Sequence, residues 1–284
     1  MFSQTQPETV QERTLIVSGR QIFSTGQSDT IGVRSSMEDA CSIIGEFTGA
    51  NTQYYGVFDG HGGNEVSTYC ANNLHRKINR ILKEKEITVE KAITEAIEEI
   101  NQEALSKFPD AGTTAGIVII INNIVYCANV GDTRILLIEK ADNSQSPGQR
   151  GRRGWKPTPP KVTRCSYDHK ASDPQEKEKV LERGGHVIQG RVNGCLMLSR
   201  AIGDAAVGPG LSCEPYITRM KRKDGMKVVI ACDGVFDVLD DETVGSVADR
   251  IQNPQEAART IKDMALERGT TDNVTCVVIN LTPK

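Results

Sequence analysis

GTTAGIVIIINNIVYCANVGDTRILLIEK, residues 112–140, decides how the rest of the chain is read. Its apolar runs are short and rich in Ile and Val, and they are cut by Asn122-Asn123 and again by Gly131-Asp132, a composition of strands joined by turns. The stretch reads as a meander of three antiparallel strands, the first two joined by a tight hairpin. Upstream the period changes. Across residues 64–85 and 89–108 apolar side chains recur every three or four positions, which predicts two amphipathic helices, with Thr88 placed to cap the second. Strand-like runs precede them at residues 15–17, 40–44 and 53–58. Downstream, strands are predicted at 161–165, 226–232 and 274–281, and helices at 241–252 and 254–268, the last opening on Pro254. Strands in blocks and helices in two separate pairs predict an α+β fold. Its centre is a β-sandwich of two antiparallel sheets, flanked by pairs of α-helices in four layers, αββα. The βαβα alternation of a doubly wound sheet is absent.

The composition sets bounds on function. Of 284 residues 38% are apolar and 25% charged, and the net charge of −3 calls for neither nucleic acid nor a membrane surface. No apolar run approaches the roughly 18 residues that span a bilayer, and the polar start MFSQTQPETVQERT lacks a signal-peptide core. The eight cysteines are scattered, with no C-x-x-C pair, and read as reduced core residues of a cytoplasmic or nuclear protein. One segment breaks the texture. Residues 141–161 are rich in Gly and Pro and set Arg150, Arg152, Arg153, Lys156 and Lys161 against the single acid Asp142. They read as a solvated excursion of a hairpin or, alternatively, as a docking arm for an acidic partner.

Acids recur at the ends of the strand-like runs. Asp59 follows YYGVF, Asp233 follows VVIAC, Asp132 follows IVYCANVG, Asp272 precedes NVTCVVIN, and Glu38-Asp39 precede ACSII. Each Asp-Gly alone is a turn; together these positions can converge at one end of a sandwich. GVFD occurs twice, at 56–59 and 234–237, but Asp237 is not the counterpart of Asp59, because its strand ends at Asp233. Carboxylates so crowded repel unless a cation is present. A donor set almost wholly of oxygen suits Mg or Mn ions rather than zinc, and pairs of such ions serve phosphoryl hydrolysis.

VRSSMEDA (33–40), YYGVFDGHGG (54–63), GTTA (112–115), ANVGDTR (128–134), DHK (168–170) with EKEKVLERGG (176–185), RVNGCLMLSRAIGD (191–204), ACDGVFDV (231–238) and TTDNVTCVVI (270–279) occur in that order. They resemble the metal-dependent protein serine/threonine phosphatases of the PP2C (PPM) family across roughly residues 30–281. The resemblance implies a single phosphatase domain at 23–284 behind a partly ordered N-terminal extension at 1–22, with a flap beside the active site at about 168–192. It implies two Mn or Mg ions and a weaker third: Asp59 bridging the pair, the Gly60 carbonyl and Glu38 on one ion, Asp233 and Asp272 on the other, Asp39 beside Glu38, and Asp132 at the third. Arg34 would clamp the substrate phosphate and His61 would protonate the leaving oxygen. The reaction implied is hydrolysis of phosphoserine and phosphothreonine by in-line attack of a water bridging the two ions. No phosphoenzyme forms. Phosphoproteins are the expected substrates, and a monomer is expected. The alternatives are a pseudophosphatase scaffold, disfavoured because every metal position is filled, and a dinuclear hydrolase of small phosphoesters. The departures are Cys41 where the family often has His, Ala171 in place of Pro after DHK, and the 141–161 insertion.

Overall fold

The computed structural model describes residues 14–140 and 158–284. The chain opens with β1 (Thr14–Ser18), β2 (Phe23–Thr30), β3 (Ala40–Gly45), β4 (Thr52–Phe58) and the two-residue β5 (Gly60–His61). Two long helices follow, α1 (Glu65–Glu84) and α2 (Val89–Lys107), the second capped by the Thr88 side chain accepting from the Lys91 amide. Next come β6 (Gly112–Thr113), β7 (Ala115–Ile121), β8 (Ile124–Val130), β9 (Arg134–Glu139) and β10 (Lys161–Arg164). Then come α3 (Pro174–Glu182), β11 (Val187–Ile188), β12 (Arg191–Val192) and β13 (Ile202–Gly203). The chain ends with β14 (Tyr216–Lys221), β15 (Lys227–Ala231), α4 (Asp233–Phe236), α5 (Asp241–Arg250), α6 (Pro254–Glu267) and β16 (Val274–Pro283).

Two sheets carry the molecule, ordered β1-β3-β4-β7-β8-β14 and β10-β9-β15-β16-β2. Alternation along each strand assigns its side chains to different layers. On β7, Ile117 and Ile119 join the core under α1 and α2, whereas Val118 and Ile120 join the core between the sheets. On β15, Val228 and Ile230 face the first sheet while Val229 and Ala231 pack under α5 and α6. In the middle of each sheet both faces are thus buried, which is why β7 and β15 are almost wholly apolar, and the four-layer αββα sandwich expected from the sequence is what forms. Among the described residues no helix is long and apolar enough to cross a membrane.

Three readings are corrected. The meander of 112–140 does not continue through its third strand: β9 leaves the β7–β8 hairpin and pairs with β10 and β15 in the other sheet. Gly131, at φ +86°, turns the chain between sheets, so Leu136 and Ile138 face α5 and α6. The first sheet is mixed, since β1 runs parallel to β3. The chain visits the other sheet through β2 before returning, and a crossover of that kind brings it back in the same direction. Strand β2 and helix α3 were not anticipated. FSTGQSDT carries one large apolar residue, suited to a sheet edge, and α3 is mostly charged, with Asp173 capping it and Pro174 at its first turn. The basic 141–161 segment lies outside the described residues up to 157 and rejoins the fold at β10.

Candidate active site

The acids marked in the sequence meet at one end of the sandwich, along a cleft of about 540 Å³ whose walls include Arg34, Glu38, Asp59, Gly60, His61, Asp132, Asp233 and Asp272. Local chemistry fixes each in place. The Asp59 carbonyl accepts from the Thr114 amide (2.9 Å) and the Thr113 hydroxyl (3.0 Å), and the Thr114 hydroxyl accepts from the Asp59 amide (3.2 Å). The GTTA segment is therefore a clamp on the backbone that carries Asp59. Gly60 can only be glycine, because a Cβ there would run into the Glu38 carbonyl and the Ser67 hydroxyl. Asn273, 5% exposed, accepts from the Glu38 amide at 2.8 Å and donates to the Ile31 and Ser36 carbonyls at 3.0 Å each. It pins the loop that bears Arg34 and Glu38 to the start of β16.

Beneath the cleft, ligand atoms of Asp39, Asp59 and Cys232 lie within 4.8 Å of one another, and so do those of Asp59, Asp132 and Asp233. Asp59 belongs to both groups. Desolvation, then Asp233 and Asp39, push its carboxyl well above the usual carboxylate range. Burial, with repulsion from Asp132 and Asp237, lifts Asp233 to about 7. Burial lifts Asp39 to about 6, offset in part by Thr275 and Cys232 beside it, and neither Asp39 carboxylate oxygen makes a hydrogen bond of normal geometry. Asp132 is raised by burial too, although the Lys170 ammonium stands 3.5 Å from it. Unpartnered, mutually repelling carboxylates are costly unless positive charge sits among them. These residues fit a hard divalent cation, and the donor set is oxygen apart from the Cys232 thiol.

The remaining candidates are engaged in ways the sequence did not reveal. The Arg34 guanidinium lies 2.5 Å from Asp272 and donates to the Thr271 carbonyl at 3.2 Å. Asp272 is turned to Arg34 on one oxygen and accepts from the Asn273 amide on the other (2.7 Å), outside the two tight carboxylate groups. Glu38 accepts from Ser36 (2.7 Å) and from the Gly63 amide (3.2 Å). His61 Nε2 sits 2.8 Å from each carboxylate oxygen of Asp204.

Sequence reasoning did not single out Asn273, Lys170 or Asp204, although each stands inside a quoted motif. Asp237 closes the single turn of α4, as its position after the strand end requires, yet it lines the cleft and lies 3.7 Å from Lys170. Arg134 of GDTR joins Asp168 of DHK and Asp241 of α5 (2.8 Å to the latter), which gives those two motifs a structural role. His75 and His169 are buried, and burial lowers both to about 4.

Comparison with known proteins gives concordant results. The family description protein phosphatase 2C matches residues 24–274. The chain is 33% identical over 264 residues to protein phosphatase 2C homolog 1 of Schizosaccharomyces pombe, covering 88% of this chain and 70% of that protein. It is 31% identical over 269 residues to protein phosphatase 2C homolog 1 of Saccharomyces cerevisiae, covering 87% and 89%. Among solved structures, a C. elegans sex determining protein superposes with a TM-score of 0.77 at 24% identity over 94% of this chain and 66% of that one. A phosphatase from a pathogenic strain of Toxoplasma gondii does so with 0.73 at 21% identity over 93% and 96%. At these identities the structural likeness speaks for the fold.

Proposed function

Since the chain belongs to the protein phosphatase 2C family and is a protein serine/threonine phosphatase, we propose that it hydrolyses phosphoserine and phosphothreonine by direct in-line attack of water at a centre holding two Mg or Mn ions, without a phosphoenzyme. The observation that carries this reading is the position of Asp59 in both carboxylate groups. Asp39 shares one of these groups with it, and Asp132 and Asp233 share the other. In this reading Asp59 would be shared by the two ions, with Asp39, Gly60 and Glu38 holding one, Asp233 and Asp272 the other, and Asp132 available to a weaker third. Divalent-ion chemistry here consists of neutralising phosphate charge and making a water nucleophilic at neutral pH.

The chain's own residues do the rest. Arg34, whose side chain is 55% exposed, offers its guanidinium fork to the phosphate oxygens, exchanging part of its bond to Asp272 for one to substrate. That contact orients phosphorus for attack opposite the serine or threonine oxygen. His61 at the cleft wall donates a proton to that oxygen as it leaves. Phosphoproteins are the substrate class. The test is release of phosphate from phosphoserine, phosphothreonine and phosphotyrosine peptides with Mn²⁺, Mg²⁺ or chelator. Cation-dependent turnover of the first two is expected; equal turnover in chelator would refute the reading.

A further inference from the structure

We propose that Asp204 is the positioning residue for His61, fixing which ring nitrogen meets the leaving group; the inference rests on His61 being the general acid. Three two-residue strands build the arrangement. β6 lies between β5 and β13, with His61 opposite Gly112 and Gly203 opposite the same Gly112. Residues 143 positions apart are thereby brought side by side. Asp204, the next residue after β13, is held at φ +61°, a left-handed conformation uncommon outside glycine and tolerated best by Asp and Asn. Its amide donates to the Ala111 carbonyl (3.0 Å), its carbonyl accepts from the Val207 amide (3.0 Å), and the Gly203 amide before it donates to the Asn101 side chain (2.8 Å). The backbone is thus fixed on both sides of the residue. The side chain is 6% exposed and lies over Gly112, where any Cβ would overlap its carboxylate. A buried, immobile carboxylate is therefore aimed at one atom, His61 Nε2.

The consequence follows from the shape of imidazole. With Nε2 committed to Asp204, Nδ1 is the only ring nitrogen left for substrate, and among the described residues nothing hydrogen-bonds to it. His61 is 29% exposed along its side chain and stands in the cleft wall. When the bond from phosphorus to the serine or threonine oxygen breaks, its electron pair stays on that oxygen, which takes the proton from Nδ1. Imidazole is later reprotonated from water. A carboxylate behind the ring holds this orientation, as carboxylates do behind other working histidines.

An alkoxide is a poor leaving group and needs that proton, whereas a nitrophenolate departs without it. The experiment compares Asp204→Asn, His61→Gln and the double variant on a phosphothreonine peptide and on p-nitrophenyl phosphate. Asn keeps the left-handed backbone accessible, and circular dichroism with thermal melting confirms that each variant is folded. The expected result is a drop of about 10- to 100-fold in kcat on the peptide for Asp204→Asn, little change on p-nitrophenyl phosphate, and no further loss when it is added to His61→Gln. A loss equal on both substrates for Asp204→Asn, beside a peptide-selective loss for His61→Gln, would overturn the positioning role while sparing the general acid. An equal loss on both substrates for His61→Gln would overturn the general acid and, with it, the role of Asp204.

Discussion

Asn273 carries no charge and touches no substrate in this account, yet it holds three backbone groups of the 31–38 loop at 2.8–3.0 Å. Asn273→Ala would take these partners away from a half-buried stretch of backbone. A loss of about 2 kcal/mol in stability is expected, with a several-fold rise in KM for a phosphopeptide, because Arg34 rides on the same loop; urea unfolding and steady-state kinetics check the two. The contrast with Asp59 explains what the sequence revealed at this scale. An acid at the end of an apolar run is a local signal, and Asp59, Asp132, Asp233, Asp272 and the Glu38-Asp39 pair were all found by it. Asn273 and Asp204 matter through partners more than a hundred positions away, at Glu38 and His61. Nothing in their own neighbourhood of sequence reports those partners.

Among the elements, α3 shows how a charged segment becomes part of a fold. Glu176 is fully buried and accepts from Arg200 through Nε (2.9 Å) and Nη2 (2.8 Å), from Ser199 (2.7 Å) and from Lys179 (2.9 Å). Burial alone would push its carboxyl up; Arg200, Lys179 and Ser199 outweigh that and hold it well below the usual carboxylate range. A depressed acid stabilises the folded state above its unfolded pKa and loses that contribution as pH falls through its folded one. Glu176→Gln leaves Arg200 buried without its counter-charge, so a loss of about 3 kcal/mol is expected, measured by thermal melting at neutral pH. The mutant's deficit should shrink in acid, where the wild type protonates too. Periodicity missed α3 because its buried face is an ion pair rather than an apolar stripe. It likewise misjudged β9, whose apolar run is the same whichever sheet receives it; only the turn at Gly131 distinguishes them.

For the molecule as a whole, the sandwich concentrates negative charge at one end and must offset it. Asp39 and Asp233, raised to about 6 and about 7, bind protons in the folded chain at pH values where the unfolded chain has released them. Raised acids contribute stability that is present below their unfolded pKa and lost as pH rises through the folded values. In chelator, then, the melting temperature should fall between about pH 5 and pH 8, and Mn²⁺ should restore it at the upper end. A melting temperature in chelator that rises across that range would count against a repelling carboxylate cluster. The layers were legible because alternation and helical period are global patterns, whereas the mixed first sheet depends on a crossover through β2 that its polar sequence hardly signals. The most direct test of the account is Mn²⁺-dependent hydrolysis of a phosphothreonine peptide by Asp59→Ala, with circular dichroism matching the parent protein. The residue shared by both carboxylate groups should be indispensable, so activity should fall to background; a folded Asp59→Ala protein with undiminished turnover would contradict it.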